Sequence, residues 1–81
     1  MKHKILIVED DEIILVSIIK NLKMWDLDAR GIENFHNVLK EFKEYEPSLV
    51  IMDIGLPFYN GYKWCDDIRK VSKVPIIFYH L

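Results

Sequence analysis

The stretch Lys4-Ile5-Leu6-Ile7-Val8-Glu9-Asp10-Asp11 decides the fold, because its run of aliphatic residues ends abruptly in acids. Such a run, rich in β-branched residues, is typical of a strand that is buried on both faces of a sheet. A second run of the same form, Ser48-Leu49-Val50-Ile51-Met52, ends in Asp53. The sequence therefore predicts two central strands that both end at carboxylates.

A helical pattern follows the first strand. Its start can be capped by Asp10 or Asp11, whose negative charge also suits the positive end of the helix dipole. We expect this helix to end near Trp25-Asp26. The apolar residues at helical spacing are Ile14, Leu15, Ile18, Ile19 and Leu22.

The rest of the chain continues the alternation of strands and helices. The pattern over residues 28–32 predicts a weak strand, and its short polar alternation suggests an edge position in the sheet. A second helix can be capped by Asn34 and should be closed by Pro47. After a loop over residues 54–60, the pattern predicts a third helix and then a fourth strand over residues 75–79. The apolar side of the third helix carries Trp64, Cys65, Ile68 and Val71.

This order of elements predicts the fold class. Parallel neighbouring strands need a crossover segment between them, so strands that alternate with helices indicate an α/β fold with a parallel sheet. The sequence contains no repeat and no interdomain linker, and residues 1–81 are therefore predicted to form one domain.

Composition and charge exclude several classes of protein. The 81 residues are 51% hydrophobic and 30% charged, which is typical of a globular domain. No apolar run approaches the roughly 20 residues that cross a bilayer, so we expect no membrane partner. The single cysteine, Cys65, fits a reducing cytoplasm. A net charge of −2 without a basic stripe argues against direct binding of nucleic acid.

The acids at the strand ends are the candidate functional residues. In open α/β sheets, sites form beyond the carboxyl ends of the strands, so Glu9, Asp10 and Asp53 should converge there. Three carboxylates would repel one another unless a cation lay between them, and Mg²⁺ prefers such oxygen ligands. Each acid alone has a simpler explanation, as a helix cap or a turn residue. Their joint placement favours a site in which a carboxylate beside Mg²⁺ attacks phosphorus.

Three segments resemble the receiver domain of bacterial response regulators. Residues 4–11 resemble its opening, residues 49–57 with Asn60-Gly61 its phosphorylation segment, and residues 73–78 its fourth strand. The stretch from Leu56 to Phe78 most resembles winged-helix-type regulators that answer cell-envelope stress in low-GC Gram-positive bacteria. The resemblance covers nearly the whole chain in the right order and spacing.

The resemblance implies a fold, a role for each site residue, and partners. The fold would be a flavodoxin-like, doubly wound parallel sheet, of which residues 1–81 hold the first four strands and three helices, truncated after the fourth strand. Asp53 would be the phospho-acceptor, and Glu9 and Asp10 the acidic pair that organises Mg²⁺, with the main-chain carbonyl of Gly55 as a further ligand. A sensor histidine kinase would donate the phosphoryl group, and the domain would control transcription through a DNA-binding output domain that these residues do not include.

The chain also departs from the family pattern. His80 stands where the family has Ser or Thr at the switch position, and the phosphate-binding Lys that follows the family's fifth strand is absent from these residues. Two alternatives therefore stay open. A degenerate or truncated receiver could act only as an interaction or dimerisation module, and we expect self-association through surface that the truncation uncovers. A phosphatase-like enzyme with Asp53 as nucleophile would commonly carry an acid at the position of Gly55, so we expect no enzyme.

Overall fold

Four strands and three helices alternate along the chain in the computed structural model, which describes residues 3–56 and 61–79. The alternation predicted from the sequence is confirmed. The elements are β1 (Lys4–Val8), α1 (Glu12–Met24), β2 (Asp28–Gly31), α2 (Val38–Tyr45), β3 (Leu49–Asp53), α3 (Gly61–Arg69) and β4 (Ile76–Tyr79).

The strands form one parallel sheet with the order β2-β1-β3-β4. The two strands that end in acids, β1 and β3, are therefore central neighbours, and β2 lies at an edge as predicted. In the register, Val8 lies beside Met52, and Asp53 lies beside Tyr79. The parallel arrangement brings the carboxyl ends of β1, β3 and β4 to the same edge of the sheet.

The core lies mainly on one face of the sheet. Leu6, Val8, Val50 and Met52 are fully buried there against residues of α2 and α3, among them Phe42, Trp64 and Ile68. On the other face, α1 lies beside Ile51 and Tyr79. Because none of the residues of α1 is fully buried, its predicted apolar row is only partly covered.

The ends of α1 agree with the sequence prediction. The Asp11 carboxylate accepts hydrogen bonds from the main-chain nitrogens of Ile13, at 2.9 Å, and Ile14, at 3.3 Å. Asp11 is thus the N-cap, while Asp10 is left for the acidic end of the sheet. The helix ends at Met24, with Trp25 as its C-cap, as expected.

The predicted start of α2 was wrong. Asn34 does not cap the helix, because its side chain accepts a hydrogen bond from the His36 main-chain nitrogen at 2.9 Å and so stabilises a preceding turn. The helix begins at Val38, after Asn37. It ends at Tyr45, two residues before Pro47, as predicted.

The predicted set of residues on the apolar side of α3 was wrong at one position. Trp64 and Ile68 are buried and Cys65 is half-buried, but Val71 lies beyond the end of the helix at Arg69 and is half exposed. No helix among residues 3–56 and 61–79 has the length and apolar character needed to span a membrane.

Candidate metal centre

Three adjacent strands place polar side chains side by side at the carboxyl edge of the sheet. Glu9 follows β1 directly, Asp53 is the last residue of β3, and Tyr79 is the last residue of β4. Since side chains alternate between the faces of a strand, the burial of Val8, Met52 and Phe78 in the core of α2 and α3 turns Glu9, Asp53 and Tyr79 toward α1. The site therefore lies beneath the first turn of that helix.

The predicted acids come together. One carboxylate oxygen from each of Glu9, Asp10 and Asp53 lies within 4.8 Å of the other two. Glu9 is buried with 2% of its surface exposed, Asp53 is half-buried and Asp10 is exposed. Hard oxygen donors at this spacing fit Mg²⁺, which keeps several waters and needs few protein ligands. The exposed side of Asp10 leaves room for such waters.

Glu9 is held at both of its carboxylate oxygens. The Tyr79 hydroxyl donates a hydrogen bond to Oε1, and the main-chain nitrogen of Asp11 donates to Oε2 at 3.0 Å. Neither donor carries a positive charge. The two hydrogen bonds satisfy a carboxylate that burial would otherwise leave without compensation for its lost hydration.

Asp53 begins the turn that leads out of β3. Its Oδ1 accepts a hydrogen bond from the main-chain nitrogen of Gly55 at 2.8 Å. This bond keeps Gly55, the source of the predicted carbonyl ligand, next to Asp53. Whether that carbonyl, Glu9, Asp10 and Asp53 act as ligands stays a prediction, and His80 lies outside the described residues.

Sequence reasoning missed Tyr79 as a member of the site. Burial raises the pKa of Tyr79 far above its usual value of 10, and the hydrogen bond to Glu9 and the negative charges of Glu9, Asp53 and Asp10 raise it further. The phenol therefore stays protonated and able to donate. The sequence predicts a fourth strand that ends at Tyr79, which places this residue at the carboxyl edge of a parallel sheet but does not say which strand lies beside it.

Comparisons with known proteins agree with this geometry. Residues 5–80 match the response regulator receiver domain family. The response regulator protein GraR of Staphylococcus aureus is 44% identical over 75 residues, which are 93% of this chain and 34% of that protein. The chain thus spans about a third of the length of the curated relatives that it matches.

Solved structures show the same architecture. The N-terminal domain of the nisin resistance regulator NsrR, described as a lantibiotic response regulator, is 37% identical with a TM-score of 0.90, over 96% of this chain and 66% of that one. The BeF3-activated N-terminal receiver domain of Klebsiella pneumoniae RstA is 29% identical, with a TM-score of 0.88. The match covers 96% of this chain and 67% of that one. The chemotaxis response regulator CheY4 of Vibrio cholerae is 18% identical, with a TM-score of 0.86 over 96% of this chain and 68% of that one. At this identity, the similarity shows the shared flavodoxin-like fold alone. This chain belongs to the response regulator receiver domain family.

Proposed function

We propose that this chain is a phospho-acceptor domain of a two-component response regulator, in which Asp53 takes a phosphoryl group from a sensor histidine kinase. The observation that supports this proposal is the convergence of Glu9, Asp10 and Asp53 within 4.8 Å at the ends of two adjacent strands. Acids placed in this way serve no packing purpose in the core. They suit a site that holds a cation and presents one carboxylate to an electrophile.

Each residue has a distinct part in the proposed mechanism. Asp10, Asp53 and the Gly55 carbonyl would hold Mg²⁺, and Glu9 would complete this group as a less direct ligand. Bound Mg²⁺ would neutralise charge on the phosphoryl group. An Asp53 carboxylate oxygen attacks phosphorus, the phosphorus–nitrogen bond of the phosphohistidine donor breaks, and its electron pair leaves with the imidazole. The product is an acyl phosphate on Asp53, whose added negative charge shifts a conformational equilibrium of the domain.

The relatives' names support a setting for this chemistry. GraR is a response regulator, and NsrR is named for nisin resistance and described as a lantibiotic response regulator. We infer that the chain serves a cytoplasmic response to cell-envelope stress as the receiver part of a transcription regulator, since it matches 34% of the length of GraR. Contacts with DNA would then belong to an output domain rather than to this segment.

Titration with Mg²⁺ tests the site. The parent chain and the isosteric variant Asp53→Asn would be titrated while amide shifts are followed by NMR. We expect several-fold weaker binding in the variant, because one carboxylate charge at the ion is lost. Asp66→Asn, an exposed acid on α3, is the matched control and should bind as the parent does. Equal affinity in Asp53→Asn and the parent would refute the proposal.

A specific observation also favours a second role, self-association with another copy of this chain. The exposed apolar side chains Ile13 on α1 and Ile77 on β4 lie on the same side of the sheet, and Ile13 is 84% exposed. Between α1 and β4 runs an apolar groove of about 520 Å³. It is lined by Ile13, Ile14, Ser17, Ile18, Ile51 and Tyr79.

The edge of the sheet indicates how a second copy would bind. The carbonyls of Pro75 and Tyr79 accept hydrogen bonds from the β3 side, at 3.0 Å each, so the alternate main-chain groups of Ile76 and Phe78 point away from the sheet. The strand Ile76–Tyr79 carries no charge that would oppose pairing. A twofold axis can pair two such edges antiparallel and cover both grooves at once.

Sedimentation velocity over a range of concentrations tests this second role. We expect the parent chain to dimerise and Ile77→Lys to be monomeric, because lysine on an edge strand opposes pairing. Val71→Lys is the matched control, since Val71 is equally exposed but lies outside this face. A parent chain that remains monomeric, or an Ile77→Lys variant that still dimerises, would contradict it.

A further inference from the structure

We propose that Tyr79 is a positioning residue for the metal centre, whose hydroxyl fixes the buried Glu9 carboxylate in the orientation that the bound ion requires. This inference rests on the proposed function of Glu9, Asp10 and Asp53. It adds to them a neutral side chain from β4 that would not itself be a ligand. Tyr79 would act through Glu9.

The sheet geometry puts Tyr79 in place for this role. Its neighbour in the register is Asp53 on β3, and Glu9 lies one strand farther on, at the end of β1. Neighbouring strands are about 4.8 Å apart, so only a long side chain at position 79 reaches Glu9 across the acceptor strand. The Tyr79 hydroxyl makes this contact with Glu9 Oε1.

Packing on one side restricts the Tyr79 ring. Tyr79 is half-buried and lines the groove beneath α1 together with Ile14, Ile18 and Ile51. Contact with this apolar surface reduces the number of rotamers open to the ring, so its hydroxyl is presented to Glu9 with a smaller loss of conformational freedom.

Because Glu9 is buried, its carboxylate needs the hydrogen bond from the Tyr79 hydroxyl. Only 2% of the surface of Glu9 is exposed, so its carboxylate depends on donors from the protein. One donor is the Asp11 main-chain nitrogen, which any residue at position 11 except proline would supply. The other donor depends on the side chain at position 79. Of the two hydrogen bonds that residues in the described part of the chain donate to the Glu9 carboxylate, the one from Tyr79 can thus be removed by a conservative substitution.

The expected consequence is a loss of Mg²⁺ affinity in Tyr79→Phe. Partners that orient the ligands of a metal typically change affinity by 10- to 100-fold when they are removed, and we expect about tenfold here. Tyr45→Phe is the matched control, because Tyr45 is also buried but contacts Lys4 at the opposite end of β1 from Glu9. It should leave Mg²⁺ affinity unchanged.

A double-mutant comparison tests whether Tyr79 acts through Glu9. Mg²⁺ affinity would be measured for Tyr79→Phe in the parent chain and in the Glu9→Ala background, which removes the acceptor of the Tyr79 hydroxyl. We expect about a tenfold loss in the first and no further loss in the second. An unchanged affinity in the parent background would overturn the proposal, and so would an equal loss in both backgrounds, which would show that Tyr79 acts by another route.

A second readout needs no metal and separates this inference from the proposed function. In the metal-free chain labelled with ¹³C at glutamate carboxyls, the Glu9 resonance should shift in Tyr79→Phe and stay in place in Tyr45→Phe. If Asp53→Asn leaves Mg²⁺ affinity unchanged, the proposed function fails, whatever the Glu9 resonance does. If Asp53→Asn weakens binding but Tyr79→Phe moves neither the resonance nor the affinity, the role of Tyr79 alone is refuted.

Discussion

Tyr45 links the fold to pH in a way that can be measured. Its side chain is buried at the end of α2, with the Arg30 guanidinium 4.7 Å and the Lys4 ammonium 5.5 Å from the ring centroid. Burial, and after it the nearby Asp28 carboxylate, raise the pKa of Tyr45 from 10 to about 12, while Arg30 opposes the shift. The folded chain therefore keeps this phenol proton when the unfolded chain has lost it.

The sign of the effect on stability follows from this difference. Below about pH 10, both states hold the proton and the full contribution is present. As the pH rises from there through about 12, the unfolded state loses its proton first, and the free energy of unfolding falls. With about 1.4 kcal/mol for each pKa unit, the loss attributable to Tyr45 reaches about 2 kcal/mol at pH ~11.5.

Urea unfolding followed by circular dichroism, at about pH 8 and about pH 11.5, measures this loss. Tyr45→Phe has no proton to lose, so its free energy of unfolding should fall by about 2 kcal/mol less than that of the parent over this interval. Tyr62→Phe, which alters an exposed tyrosine, should follow the parent. The reasoning would be refuted if the parent and Tyr45→Phe lost equal stability between the two pH values.

Two further predictions concern contacts of α1. Asp11→Ala should lower the free energy of unfolding by about 1 kcal/mol. Asp11→Ser should largely keep it, because a serine hydroxyl can accept a hydrogen bond from the first turn as the aspartate carboxylate does. Equal losses for the two variants in urea unfolding would argue against a capping role. Gly31→Ala should cost about 1 kcal/mol, because its new methyl group would lie 2.5 Å from Leu15 Cδ2 and would force the half-buried Leu15 side chain to move. The cost should disappear when Gly31→Ala is made in a Leu15→Ala background, and an undiminished cost there would show that the close approach to Leu15 is not its cause.

The sequence predicts the elements whose local signals are strong. The apolar runs that end at Val8 and Met52 are long enough and uniform enough to identify two buried strands, and their acids follow directly. Convergence of Glu9, Asp10 and Asp53 then follows from the parallel arrangement alone. The general location of the candidate site is thus encoded in local patterns of the chain.

Contacts between distant residues cannot be predicted in the same way. Asn34 and Asn37 have equal intrinsic ability to cap a helix, yet α2 begins after Asn37, which makes no side-chain capping hydrogen bond. Glu41, seven residues after Asn34, accepts hydrogen bonds from the main-chain nitrogens of Glu33, at 3.0 Å, and Asn34, at 2.8 Å. The contact of Tyr79 with Glu9 joins residues 70 positions apart across an intervening strand. Such a contact requires the register of three strands, which local patterns do not supply.

The measurement that tests the central claim most directly is phosphorylation of Asp53. The chain would be incubated with acetyl phosphate, with and without Mg²⁺, and its intact mass would be followed over time. We expect the mass of one phosphoryl group to be gained slowly, only with Mg²⁺, in the parent chain and in Asp66→Asn but not in Asp53→Asn. A gain that persists in Asp53→Asn, or no gain in a parent chain that binds Mg²⁺, would contradict the account.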